Sequence, residues 1–537
     1  YVRQQVLFSD KEYNTFGTAA VSKQQAGLGL DIGDVVHARD YFLDKAYRAE
    51  SGRQAFYESC FTAVDEIQTY FQEMEGKTFQ SALEDFKKSF QKLAKDPSDS
   101  VRQNLVVQKA GLFLSRSQSV YEGLKSYQSN INTKVSQDID KINKLGHKIH
   151  ELNQQISKIE AGGIETAMDL RDERDLALDQ LGALAKISYK EDYKGVVTVK
   201  LEDEYFVDEL HTYEIGKKTD KLTGFITPYW PQLSDTDRDI YVNVFDFNVD
   251  ISTALNSDVG ELKALIMSRG DHWADYSDIE GKGEQEYLDT TNLSVIIDMQ
   301  AKLDQMVHNM ITAINDQLCP NVTGPVGVTY QDANGNTVNL SDAKVLDTEN
   351  CARGSDGELP PRELFVRAGI ERYTEVTGSD GKTYYVYNEE DTSDTSYMYS
   401  LTSCGVNEEL KKIETLFPHL KQNGEVDQQL GERLEALWNK DLVGLDPTDP
   451  DECNIEEYYQ KMIGGLATVG NVYQKKAENL AGSVLTIENN RQQVIGVSSD
   501  EELQNMIKFQ NAYNASSRFM TVISDMIEHI VTRLGNG

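Results

Sequence analysis

The chain has 537 residues, 39% of them hydrophobic, and sets 53 Lys+Arg against 88 Asp+Glu for a formal net charge of −35. That length exceeds one compact core and implies roughly three or four domains, while the charge repels nucleic-acid phosphates and anionic lipid heads and excludes both as partners. No window approaches the apolar run of a spanning helix, and the opening YVRQQVLFSD has neither an initiator Met nor the plan of a secretory signal, which implies that the native N-terminus was removed along with any export signal.

In chain order, residues 1–37 read as the remnant of an N-terminal linker, and 38–187 as the N-terminal part of a helical rod domain. From Ser100 to about Glu160 apolar residues recur in alternating steps of three and four. Leu124, Ile131, Val135, Ile142, Leu145, Ile149, Leu152, Ile156 and Ile159 form this stripe, with Gln128 and Asp138 as its only polar members. The spacing predicts one helix of roughly 60 residues, about 90 Å long at 1.5 Å per residue, started by Ser98 or Ser100 after Pro97 and ended at Gly162-Gly163. A shorter helix, IETAMDLRDERDLALDQLGALAKI, then turns back.

Residues 188–256 change to strand alternation, as in KGVVTVKLEDEYFVDELHTYEI and DIYVNVFDFNVDI, and predict a β-rich domain. The returning segment 257–318 includes helical spacing over 284–318, with Leu303, Met306, Met310 and Ile314 on one face. Residues 319–403 form a β-rich insertion with hairpin signals at Asn334-Gly335 and Asp380-Gly381. Its tyrosines, 384, 385, 387, 397 and 399, read as faces of a small sheet rather than an adhesive patch. The C-terminal part of the rod domain is 404–498, helical apart from the loop GLDPTDPDECN. The fold class is therefore mainly α with β-rich insertions: an elongated, multi-domain chain with a long antiparallel helical bundle formed from both halves.

Residues 499–537 form a terminal coiled-coil helix. Gly496 ends the preceding helix, and Ser499 with Glu502 reads as a capping box. Met506, Phe509, Tyr513, Ser516, Met520, Ile523, Ile527, Ile530 and Leu534 advance by alternating threes and fours as a coiled-coil seam. A narrow seam with polar and charged residues on the other faces needs a partner helix, and none is adjacent in sequence. The expected partners are an N-terminal helix absent from this chain and copies in neighbouring subunits.

The string NNRQQVIGVSSDEELQNMIKFQNAYNASSRFM resembles the C-terminal signature of the flagellar hook-associated protein 1 family, the first hook–filament junction proteins. In that signature a Gly-Val-Ser-x-Asp-Glu-Glu turn precedes a terminal helix rich in Gln, Ala and Tyr. Other segments are similar to the family in the same order: GLGLDIGDVVHARDYFLDKAYRAESGR, DLRDERDLALDQLGALAKI, VGELKALIMSRGD and GERLEALWNKD. The chain departs from the pattern in lacking its N-terminal segment and in residues 319–403. The resemblance implies a structural subunit of the bacterial flagellum that forms the hook–filament junction by self-assembly into a ring. Its implied partners are copies of itself, the hook protein, the second hook–filament junction protein and a cytoplasmic export chaperone on the C-terminal helix. Export through the flagellar type III apparatus to an extracellular position is implied as well.

No motif for an enzyme or cofactor occurs, and the expectation is a non-enzymatic protein without cofactor or metal. His147 and His150 lie three apart on the long helix but have no third ligand spaced to join them. Asp235, Asp237 and Asp239 approximate a calcium loop but lack its Gly and Glu positions. Asn321-Val-Thr323 is a bare glycosylation sequon. The five cysteines lack metal-ligand spacing and read as buried thiols, with one or two bridges left open among the four between 319 and 453. Arg39-Asp40, Arg171-Asp172, Arg174-Asp175 and Arg269-Gly-Asp271 read as salt bridges and caps that fix packing between subunits. The readings set against the junction protein are another flagellar axial protein, flagellin or the second junction protein, and a secreted adhesin or enzyme with its activity in 319–403.

Overall fold

The computed structural model describes residues 4–10, 14–16, 24–26, 30–37, 39–72, 79–162, 166–332, 335–496 and 498–534. Four strands come first: β1 (Gln4–Asp10), β2 (Asn14–Phe16), β3 (Gln24–Ala26) and β4 (Leu30–His37), with β1 antiparallel to β4 and β2 to β3. They occupy the stretch read from sequence as a linker. Two-stranded ribbons are held by main-chain bonds and leave little side-chain periodicity to read.

Four helices follow: α1 (Tyr41–Gln72), α2 (Phe79–Leu93), α3 (Ser100–Glu160) and α4 (Met168–Leu184). The antiparallel sheet β5 (Ile187–Glu191), β6 (Val197–Leu201), β7 (Glu204–Val207) and the hairpin β8 (Gly216–Thr219), β9 (Ile226–Tyr229) precede α5 (Glu261–Arg269), α6 (Glu284–Asp289) and α7 (Val295–Leu318). Next come β10 (Asn321–Thr323), β11 (Thr329–Gln331), β12 (Thr337–Asn339), β13 (Lys344–Leu346), β14 (Phe365–Arg367), β15 (Tyr373–Thr377), β16 (Thr383–Tyr387) and β17 (Cys404–Val406). The chain ends on α8 (Glu408–Lys412), α9 (Gln428–Ala436), α10 (Ile455–Ile495) and α11 (Ser499–Leu534). By internal packing it divides into a unit of 1–52, 142–214 and 479–537 and a larger unit of 53–141 and 215–478. That division cuts the β-rich stretch 188–256 in two.

Local chemistry explains several boundaries. The first turn of α3 is capped by Asp99, not by Ser98 or Ser100, since Asp99 Oδ1 accepts from Val101 N–H at 2.9 Å. The turn between β6 and β7 places Glu202 and Asp203 at φ 47° and 69°, the left-handed pair of a tight hairpin. Segment 239–251, expected as a strand, is irregular and pairs with β9 through the single bridge Tyr229–Asn243. The helical spacing over 284–318 is broken at Thr290–Ser294, where the Ser294 hydroxyl caps α7 by accepting from Ile297 N–H. Both hairpin signals fall in turns, with Gly335 at φ 80° and Gly381 at φ 79°; Asn334 lies outside the described residues.

In the larger unit the two halves of the chain share one helical bundle. Along α1, Tyr57 lies 6.1 Å ring to ring from Tyr473 of α10 and Val64 faces Gly470, so the two helices run antiparallel. Phe79 stacks on Tyr459 at 5.2 Å, and Phe86 meets Phe113, Phe365 and Trp438. Insertion residue Phe365 thus joins the helical core. The neighbouring backbone is fixed by Asn315 of α7, whose Oδ1 accepts from Leu364 and Phe365 N–H and whose Nδ2 donates to Phe365 O. Burial pushes Glu363, beside it, up to about 7 despite Arg372. All five cysteines are buried free thiols, which closes the question of bridges.

The two polar stripe members behave differently. Gln128 is fully buried and saturated: its Nε2 donates to Arg269 O and His272 O, and its Oε1 accepts from Gln300. Asp138 is 7% exposed, and its Oδ2 has no hydrogen-bond partner among the described residues. Burial pushes this carboxyl up to about 6, with Glu261 adding and Lys134 and Lys141 opposing. A carboxyl raised above its unfolded value costs stability as pH climbs from about 4 to about 6, and acidification relieves that cost. Asp138→Leu should therefore stabilise the chain at pH 7 by on the order of 2 kcal/mol and flatten the pH dependence over that window. Urea unfolding at several pH values measures this, and a lowered midpoint at pH 7 would refute the assignment.

Candidate functional site

The stripe of α3 points inward. Leu124, Ile131, Val135, Ile142, Leu145, Ile149, Leu152 and Ile156 are all buried, whereas Ile159, next to the helix end, is 40% exposed. The seam of α11 is the opposite. Met506, Phe509, Tyr513, Met520, Ile527 and Ile530 are exposed, Ile523 is half-buried, and the Leu534 side chain lies outside the described residues. No described residue of α11 is buried.

The seam is also wider than its sequence reading. Ala512, Ala515, Phe519, Val522 and Met526 repeat the three-and-four spacing one residue earlier, about 100° round the helix. Phe519, Val522 and Met526 are likewise at least half exposed. This row was legible in the sequence as a second heptad register, hidden by the stronger first one.

The entry to α11 is tightly specified. Any Cβ at Gly496 would lie 2.3 Å from Gln492 O, so only glycine fits there. The cap belongs to Ser498, one residue before the expected Ser499, with its hydroxyl accepting from Glu501 N–H at 3.4 Å.

Just upstream, Arg491 is the only buried residue between 479 and 496. Its Nε donates to Asp44 of α1 at 2.8 Å and its Nη2 to Asp179 of α4 at 2.9 Å, while the guanidinium lies 4.2 Å above the Tyr47 ring. Arg48 shares Asp179 at 2.6 Å and also bonds Asp175 at 3.0 Å, and Arg39 pairs with Asp44 and Asp175. Three helices thereby meet in one alternating network of Arg and Asp.

The arginines of the Arg-Asp pairs take partners elsewhere in the chain. Arg39 reaches past Asp40, which caps α1 instead. Arg171 holds Glu160 and Glu191, and the buried Arg174 holds Asn153, Gly195 O and Glu191. Arg269 donates to Asn132 and Ile226 O. Sequence reading missed Arg48 and Arg491, single cations with no local motif to mark them. His147 pairs with Glu214 and His150 with Asp208 O, and no described group of His, Cys, Asp or Glu is arranged to hold a metal.

The family model described as flagellar hook-associated protein FlgK helical domain matches residues 64–324, and the one described as flagellar basal body rod FlgEFG protein C-terminal matches 492–533. Flagellar hook-associated protein 1 of Bacillus subtilis (strain 168) is 23% identical over 563 residues, covering 100% of this chain and 92% of that protein. The chain belongs to the flagellar hook-associated protein 1 family. The Salmonella typhimurium member is 18% identical, over 94% of this chain and 90% of its own length. The solved structure of the flagellar hook junction protein FlgK from Burkholderia pseudomallei has the same fold, with a TM-score of 0.51 at 12% identity, covering 84% of this chain and 100% of that one. As a hook-associated protein the chain has a structural role in the flagellum, where it assembles with other axial components. No helix among the described residues is long and apolar enough to cross a membrane.

Proposed function

We propose that this hook-associated protein forms the hook–filament junction as a ring of identical subunits, and that α11 pairs along its apolar rows with a second helix in the tube wall. The observation that carries the reading is the pair of exposed rows on α11, which gain nothing in an isolated chain and expose a contiguous apolar face. Such a face is an aggregation hazard before assembly, so a cytoplasmic export chaperone covers it until the chain passes through the flagellar type III apparatus to the cell exterior. Within the junction the neighbours are copies of the chain, the hook protein on one side and the second hook–filament junction protein on the other.

Immunogold electron microscopy on intact cells tests this, with an antibody raised against the chain. A single cluster of gold where hook meets filament supports the junction. Gold along the filament would make it a flagellin-like subunit, and gold on the cell body with bare flagella would sink the reading.

A further inference from the structure

The ammonium of Lys302 on α7 lies between two carboxylates, 2.9 Å from Asp298 Oδ2 and 3.0 Å from Asp446 Oδ2. Tyr287 donates to Asp298 at 2.5 Å and lies 3.3 Å from Asp446 Oδ2, and its ring is 5.7 Å from the ammonium. Lys302 and Asp446 are both 8% exposed. The other oxygen of Asp446 is gripped on the far side: Oδ1 accepts from Thr448 N–H at 2.8 Å, Thr448 Oγ1 at 2.6 Å and Asp449 N–H at 3.2 Å. This is the geometry of a buried amine poised on a carboxyl whose other oxygen sits in a ring of donors, the arrangement that stabilises negative charge during acyl transfer.

We propose that Lys302 and Asp446 condense spontaneously in the folded chain to an intramolecular isopeptide bond. The ammonium gives one proton to the Asp446 carboxylate, a transfer that works against the pairing which holds Lys302 above and Asp446 below its ordinary range and that therefore makes the reaction slow. The Nζ lone pair then attacks Asp446 Cγ, charge builds on Oδ1 among its three donors, and Oδ2 leaves as water with a proton relayed through the Asp298 carboxyl. One C–N bond forms, one C–O bond breaks and one water is released, without any oxidant or cofactor. Burial pushes Asp298 above the usual carboxylate range, which suits it to carry that proton. The product would tie α7 to the 440–454 loop across 143 intervening residues.

Intact mass of the folded, purified chain, followed over days, decides the matter together with tandem mass spectrometry of a proteolytic digest. The expected result is a mass below that of the sequence by one water and a branched peptide joining Lys302 to Asp446. Lys302→Arg should retain the full mass, and Asp298→Asn should slow the loss at least tenfold. A wild-type chain that keeps its full mass overturns the proposal, as does a water loss that maps to a succinimide or to a lactam between Lys302 and Asp298.

Discussion

Ile527→Asp should abolish incorporation into flagella while leaving the folded body of the chain unchanged. Ile527 is 55% exposed in the isolated chain, so the charge costs almost nothing there and the unfolding free energy should hold within about 0.5 kcal/mol of wild type. Paired against an apolar neighbour, the carboxylate would be desolvated without a partner, at several kcal/mol per copy. The penalty recurs in each subunit, so cells carrying the variant should swim no better than a deletion strain and release their filament protein into the medium. Phe519→Asp asks the same of the second row. If it also blocks assembly, α11 touches helices on two sides, whereas normal assembly by the Ile527 variant would mean that the seam is not an assembly surface.

Arg491→Met should destabilise the smaller unit by about 1–3 kcal/mol, because it strips a shared cation from Asp44 and Asp179 and leaves them only Arg39 and Arg48. Methionine keeps much of the side-chain volume, which separates the loss of charge from the opening of a cavity. Arg491→Lys should recover only part of the loss, since one ammonium does not reproduce the fork that spans two carboxylates. Hydrogen exchange is the direct readout. Residues 479–495 have no other buried anchor and should lose protection first, and a variant with wild-type exchange there would show that the network is not what holds the segment.

How much of this was legible beforehand follows the range of the forces involved. The long helices α3 and α11 and the two glycine turns are local patterns, governed by helix periodicity and by φ preference, and they appear where the sequence places them. Asp99 and Ser498 displaced the expected caps by a single residue, because several serines and aspartates compete at each helix start and only backbone geometry selects among them. The Arg491 network was invisible, since it joins residues 44, 179 and 491 through tertiary packing that no short window contains. Strand pairing between 4–10 and 30–37 was missed for the same reason, and the irregular run at 239–251 shows the converse: alternation supplies a face, but a strand also needs a partner edge.

All five cysteines lie in the larger unit, at positions 60, 319, 351, 404 and 453, and none is on the smaller one. Each is sealed from solvent, so a thiol reagent can react only when the surrounding packing opens. Alkylation rates, read cysteine by cysteine, are therefore a built-in gauge of how often that unit breathes, with no label to introduce and no signal from the rest of the chain. The same gauge should report whether assembly slows the opening of that core.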